Sequence, residues 1–150
     1  MSHEEEGSPI AGPSGLLQGC TEQTFRVPLG DVDAARIHFS SVFDYADRAN
    51  AELFHQLGLP LTAMLRCGFG LPVVQANSSY VRSFGLDDVI RVTSRVAEVR
   101  DRSITVDHRI TRLQDGAELA NVTIVHVCVD EDGRPAPIAR LFEALALVDG

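Results

Sequence analysis

The 150-residue sequence contains no lysine, so all 13 of its basic side chains are arginine. A mechanism that needs a lysine amine as a Schiff base is therefore excluded, whereas every cation is a planar fork suited to carboxylate or phosphate groups. The formal net charge of −8 argues against a protein whose main partner is nucleic acid, because neutralising phosphates needs clustered basic residues.

Cysteine is also scarce, with three widely spaced residues that indicate neither a disulfide framework nor a metal knuckle. We therefore expect no cysteine metal knuckle and a reducing cytoplasmic location. No apolar run approaches the roughly 20 residues that cross a bilayer, so no membrane partner is expected. Residues 1–22 begin acidic and continue rich in glycine, proline and serine, which predicts a flexible N-terminal tail before a single domain at 23–150.

The first half of that domain has the pattern of one strand and a long helix. The predicted elements are a strand at 24–29, a loop at 30–36, a long helix at 42–57 and a short helix at 61–66. Ser40 and Ser41 are candidate N-caps of the long helix, and Gly58 followed by Pro60 ends it. Apolar residues recur at helical spacing along the long helix, so one of its faces must be buried.

The second half alternates apolar and polar residues, as half-buried strands do. We predict strands at 72–84, 89–99, 103–113 and 117–129, followed by a closing helix at 137–147. A lone amphipathic helix needs a sheet to bury its apolar face. The sequence therefore predicts an α+β fold in which an antiparallel sheet of about five strands wraps around one long central helix.

One segment resembles a known signature. Gly30-Asp31-Val32-Asp33-Ala34-Ala35-Arg36-Ile37 is similar to the Gly-Asp-x-Asp-Pro-Ala-Gly-Ile motif of hotdog-fold acyl-CoA thioesterases of the 4-hydroxybenzoyl-CoA thioesterase type. The stretches 71–80 and 98–103 resemble that family's central strand and its basic turn. The resemblance implies a hotdog fold, no cofactor, an acyl-CoA or acyl-carrier-protein substrate, and active sites between the subunits of a homodimer or homotetramer.

The resemblance also implies the residues of the site. The essential carboxylate falls on Asp33, the backbone N–H that polarises the thioester carbonyl falls at about Ser40, and phosphate contacts fall on Arg100 and Arg102. Thioester hydrolysis needs a nucleophile or base together with positive potential at the developing oxyanion, and a carboxylate near a helix N-terminus supplies both. An ordinary solvated turn is the alternative for the two arginines.

Two further polar residues are candidate substrate-binding groups. Asp31 is expected above all to hold the loop as a hydrogen-bond acceptor. Asn77 either orients a group at the site or is a buried amide that is already hydrogen-bonded.

The sequence departs from the family at Arg36, where glycine is usual, and at Ala34, where proline is usual. Arg36 is a candidate catalytic residue that keeps Asp33 ionised or stabilises an oxyanion, unless it pairs with Asp31. The alternatives to an acyl-CoA thioesterase are a thioesterase for polyketide or fatty acyl chains on a carrier protein, and a non-catalytic acyl-binding hotdog module.

Overall fold

The computed structural model describes the backbone of residues 13–33, 36–37 and 40–149. The strands are β1 (Cys20–Arg26), β2 (Val32–Asp33), β3 (Arg36–Ile37), β4 (Val73–Tyr80), β5 (Val89–Val99), β6 (Ser103–Arg112) and β7 (Glu118–Val127). The α-helices are α1 (Ser41–Gln56), α2 (Leu61–Cys67) and α3 (Ile138–Asp149), and short 3-10 helices lie at Pro13–Gln18 and Leu29–Asp31.

Five of the strands form one antiparallel sheet in the order β1-β5-β6-β7-β4. The three central strands are consecutive in sequence, and short turns join them. One face of this sheet packs against α1, which contacts β1, β5, β6 and β7. The predicted α+β architecture, a five-stranded antiparallel sheet with one long helix against it, is confirmed.

The core lies between α1 and the inward side chains of the sheet. Alternate residues of β5 and β6, such as Ile90, Val92, Ile104 and Val106, are buried, as the alternation in the sequence predicted. The buried face of α1 carries the apolar residues that recur at helical spacing. The helix ends as predicted, because Gly58 adopts the left-handed conformation with φ of 80°.

The described fold begins earlier in the chain than residue 23. Leu16 is fully buried in the core cluster at the C-terminal end of α1, and β1 starts at Cys20, so part of the predicted tail belongs to the domain. The strand was predicted too late because its first residues are mostly polar and show no apolar alternation. Seven residues of β5 supply its hydrogen-bonding partners instead.

Two other boundaries differ from the sequence-based prediction. The predicted loop at 30–36 contains a short hairpin in which β2 pairs with β3. β4 ends at Tyr80, short of the predicted residue 84, because the next two N–H groups, of Val81 and Arg82, both donate to the carbonyl of Leu119. Within the described ranges, no helix is long and apolar enough to span a bilayer.

Candidate active site

The segment that carries the family signature forms a turn and a hairpin directly before α1. The 3-10 turn at Leu29–Asp31 leads into β2, whose Asp33 is paired through the backbone with Arg36 of β3. Among the described residues, no heavy atom lies within 4 Å of the position of a Cβ at Gly30, so contact with these residues does not explain the glycine there. The hairpin therefore holds the backbones of the two predicted catalytic residues opposite each other, and their side chains lie outside the described part of the structure.

Two hydrogen bonds tie this turn to the first turns of α1. The hydroxyl of Tyr45 donates to Oδ2 of Asp31 over 2.7 Å, and the hydroxyl of Ser41 donates to the main-chain carbonyl of Asp31 over 3.3 Å. Burial raises the pKa of Tyr45, and the hydrogen bond and negative charge of Asp31 raise it further. Asp31 thus has the hydrogen-bond partner expected of a carboxylate that holds the loop.

The start of α1 provides the positive potential that thioester hydrolysis needs at its oxyanion. The helix begins at Ser41, so Ser40 lies at its N-terminal boundary as predicted, although its side chain makes no capping hydrogen bond. The first N–H groups of a helix lack partners within the helix, and the aligned peptide dipoles make that end partly positive. The tie between Asp31 and Tyr45 brings the signature segment against this end.

Arg100 and Arg102 lie in the turn between β5 and β6, both exposed. Each guanidinium is paired with a neighbouring carboxylate, Arg100 with Glu98 at 3.1 Å and Arg102 with Asp101 at 3.4 Å. This turn is at the far end of the sheet from the signature segment. The start of β5 lies beside Val27, just before the 3-10 turn. The 11 residues of β5 span about 35 Å, and the arginines follow at the other end of this strand. One chain therefore does not bring these arginines to its own Asp31.

Asn77 lies on β4, which is an edge strand. Its partner on β7 is Thr123, whose hydroxyl donates to Oδ1 of Asp107 on the face of the sheet opposite α1. The neighbouring pair, Ser78 and Val122, faces the helix instead. The structure thus places Asn77 on the outer face and exposes it. A role in binding substrate stays a prediction, and the alternative of a buried amide does not apply.

A cleft of about 410 Å³ also lies on the outer face, over β5, β6 and β7. Its polar lining includes Thr93, Arg95, Asp107, Arg109 and Thr123. The signature segment and α1 lie on the other side of the sheet. We therefore place the candidate reaction centre at the start of α1 and not in this cleft, despite the volume of the cleft.

The sequence reasoning missed a chain of hydrogen-bonded polar groups that is buried between the middle of α1 and the sheet. Ser94 lies 2.7 Å from Nδ1 of His108, whose Nε2 lies 3.2 Å from Oδ1 of Asn50. Nδ2 of Asn50 lies 2.9 Å from Nε2 of His126, and Nδ1 of His126 lies 2.8 Å from the carbonyl of Leu71. These hydrogen bonds link α1 to β5, β6, β7 and Leu71, which lies two residues before β4.

The direction of this chain follows from its last member, since a carbonyl only accepts hydrogen bonds. His126 therefore carries its proton on Nδ1 and accepts from the amide of Asn50, whose oxygen accepts from Nε2–H of His108. Nδ1 of His108 then accepts from Ser94. Both rings are neutral, and burial lowers the pKa of each, that of His108 to about 4 with help from the neighbouring His126.

The Ser94–His108–Asn50 arrangement has the residue types of a nucleophilic triad, yet it is not a reaction centre. Ser94 is 0% exposed and His108 is 1% exposed, so no substrate reaches the hydroxyl. The inward positions of both histidines on alternating strands, and of Asn50 on the apolar face of α1, were the available signal in the sequence. Across the described residues, no group of histidine, cysteine and carboxylate side chains has the arrangement of a metal site.

Comparisons with known proteins identify the family of the chain. A model of the thioesterase-like superfamily matches residues 27–145. A 4-hydroxybenzoyl-CoA thioesterase from Pseudomonas sp. (strain CBS-3) is 31% identical over 98 residues, which cover 63% of this chain and 70% of that protein.

Solved structures share the fold. That of the 4-hydroxybenzoyl-CoA thioesterase from Pseudomonas sp. strain CBS-3 matches with a TM-score of 0.72 and 24% identity, over 83% of this chain and 98% of the other. A 1,4-dihydroxy-2-naphthoyl-CoA thioesterase from Synechocystis matches with a TM-score of 0.75 and 20% identity, over 88% and 99%. The chain belongs to the thioesterase-like superfamily and has its hotdog fold, as the resemblance in the sequence predicted.

Proposed function

We propose that this protein hydrolyses the thioester of an acyl-CoA, with an aryl acyl group as the leading candidate. The observation that carries the proposal is the attachment of the signature segment to the start of α1 through Asp31. The aromatic acyl groups in the names of relatives, 4-hydroxybenzoyl and 1,4-dihydroxy-2-naphthoyl, support the choice of an aryl substrate.

In the proposed reaction, the Asp33 carboxylate either attacks the thioester carbonyl carbon or takes a proton from the water that attacks it. In either route the carbon–sulfur bond breaks, and CoA leaves as a thiolate that takes up a proton released by water. If Asp33 attacks, an acyl–Asp33 anhydride forms, and water then cleaves it to give the acyl carboxylate and to restore Asp33. The N–H groups at the start of α1, with that of Ser40 as the leading candidate, stabilise the oxyanion. This scheme uses no metal or organic cofactor.

Arg36 is assigned a supporting role in this proposal. Its backbone is paired with that of Asp33 in the β2–β3 hairpin. A permanent cation at that position favours the ionised form of a neighbouring carboxylate and also stabilises a developing oxyanion. Either effect makes the loss of the family's glycine compatible with catalysis.

Arg100 and Arg102 are proposed to bind phosphates of CoA in the site of a second subunit. The two arginines lie at the far end of the sheet from their own signature segment. An antiparallel pairing of two β4 edges about a two-fold axis reverses the sheet direction, so the turn of one subunit comes to the reaction end of the other. Guanidinium forks suit phosphate oxygens at such a position.

The edge strand β4 supports this assembly. Every residue but Ser78 is exposed along Val73–Tyr80, and Val73 and Val74 are each more than half exposed. An exposed apolar strand at a sheet edge has unpaired backbone groups that a second copy satisfies. We therefore propose a homodimer joined at β4, or a homotetramer of two such dimers. We separately propose that the protein is located in the cytoplasm.

The experiment is a thiol-release assay on the purified protein with a panel of short, long and aryl acyl-CoAs. The proposal predicts catalytic release of free CoA, fastest with an aryl acyl-CoA. Binding of acyl-CoA without any release over hours contradicts it and favours the non-catalytic acyl-binding alternative. Hydrolysis of carrier-protein thioesters with no turnover of any acyl-CoA favours the carrier-protein alternative.

A further inference from the structure

The hydroxyl of Tyr45 is anchored inside the core. Its ring is 1% exposed, belongs to the cluster at the N-terminal end of α1, and packs at 5.7 Å from Phe25. From this fixed position the hydroxyl donates to the Asp31 carboxylate over 2.7 Å, a usual length for an O–H···O hydrogen bond. A buried phenol is a rigid point of attachment because packing already fixes its rotamer.

A second contact comes from the same face of the helix. Ser41 lies one turn before Tyr45, and its hydroxyl donates to the main-chain carbonyl of Asp31. The side chain and the main chain of one loop residue are thus both held by α1. The loop cannot shift along the helix without breaking both hydrogen bonds.

The held residue lies immediately before the strand that carries the proposed catalytic carboxylate. The Asp31 N–H donates to Pro28 and the Val32 N–H donates to Leu29, so the turn is internally braced up to β2. One residue then separates Asp31 from Asp33. Fixing Asp31 therefore fixes the backbone from which Asp33 extends.

We propose that Tyr45 is a positioning residue, whose buried hydroxyl holds Asp31 and thereby sets Asp33 relative to the start of α1. This inference rests on the proposed thioesterase activity and names a residue that the family signature does not contain. Misplacing a reacting group by about 1 Å lowers a rate by as much as about 100-fold, so a loosened loop reduces kcat. The substrate-binding surfaces are unchanged, so KM stays close to its original value.

Tyr45→Phe tests the proposal because it removes only the hydroxyl and keeps the packed ring. We expect kcat to fall by about tenfold with KM within about twofold. The matched control is Thr123→Val, which removes a hydroxyl-to-carboxylate hydrogen bond of 3.2 Å on the face of the sheet opposite α1 and Asp31. A kcat for Tyr45→Phe equal to that of the control overturns the inference.

Substitutions at Asp31 separate positioning from a general loss of structure. Asp31→Asn keeps an acceptor oxygen for the Tyr45 hydroxyl, whereas Asp31→Ala removes it, so the asparagine variant is expected to retain more activity. If Tyr45 acts through Asp31, adding Tyr45→Phe to Asp31→Ala lowers kcat no further. Multiplicative losses in the double variant contradict this route.

Backbone hydrogen exchange tests the anchor without any activity. Tyr45→Phe is expected to speed exchange at residues 29–33 and to leave the middle of α1 unchanged, while Thr123→Val changes neither. If the wild-type protein hydrolyses no thioester, the proposed function fails, and the exchange experiment still decides on the anchor. Unchanged exchange at 29–33 overturns the inference in either case.

Discussion

Acid is expected to destabilise the protein through the buried His108. Its pKa of about 4 in the folded protein lies below the ordinary value of 6.5, so the unfolded chain binds more protons than the folded one below about pH 6.5. The contribution of His108 to stability is therefore complete above that pH and is lost as the pH falls from 6.5 towards 4. His126 acts in the same direction, since burial lowers its pKa also.

The magnitude follows from the shift. Each pH unit below the unfolded pKa removes about 1.4 kcal/mol per group while the folded ring stays neutral, so His108 alone accounts for about 2 kcal/mol at pH 5. Protonation is unfavourable in the fold because the ring is buried away from water and its Nδ1 already accepts a hydrogen bond from Ser94. His126, a second histidine, is the titratable neighbour that acts on the ring, and no carboxylate does so in the described part of the chain.

The assay is urea unfolding followed by circular dichroism at pH 7.5 and pH 5, at one protein concentration. His108→Gln retains an amide that donates to Asn50 and accepts from Ser94, but it does not titrate. The wild type should lose about 2 kcal/mol more than this variant between the two pH values. His55→Gln, on the exposed surface of α1, is the control and should match the wild type. Equal losses in the wild type and His108→Gln would refute the reasoning.

Three further outcomes are expected. Asn50→Leu leaves two buried ring nitrogens without partners and should lower the free energy of unfolding by about 3 kcal/mol in urea titrations. A loss under about 1 kcal/mol contradicts the chain of hydrogen bonds through Asn50. Arg100→Ala with Arg102→Ala should raise KM for acyl-CoA about tenfold at constant kcat, and an unchanged KM indicates another carrier. Val74→Asp places a charge on the exposed β4 edge and should yield monomers in sedimentation, so an unchanged assembly refutes pairing there.

The long helix and the central strands were predictable from the sequence because burial repeats at a fixed period. Apolar spacing predicted a helix at 42–57, and the structure has it at Ser41–Gln56. Alternation predicted 89–99, which is the extent of β5. The start of β1 was not predictable in this way, since Cys20 and its neighbours are polar or exposed and are held by pairing with β5.

The signature segment predicted a reaction centre just before the long helix, and that assignment stays a prediction. The contacts that hold the segment against the helix were not predictable from the sequence. The bond between Tyr45 and Asp31 joins residues 14 apart whose contact depends on how the turn folds back on α1. Likewise, Asn50, His108 and His126 occupy ordinary inward positions, and their connection appears only when two strands and the helix are packed together.

The most direct test of the proposed function is the steady-state hydrolysis of an aryl acyl-CoA by Asp33→Asn. The substitution keeps the size of the side chain and removes the negative charge that the mechanism requires. We expect kcat to fall by at least about 100-fold, while Asp47→Asn, on the exposed face of α1, retains the wild-type rate. Hydrolysis by Asp33→Asn at the wild-type rate would contradict the assignment of Asp33 as the catalytic carboxylate.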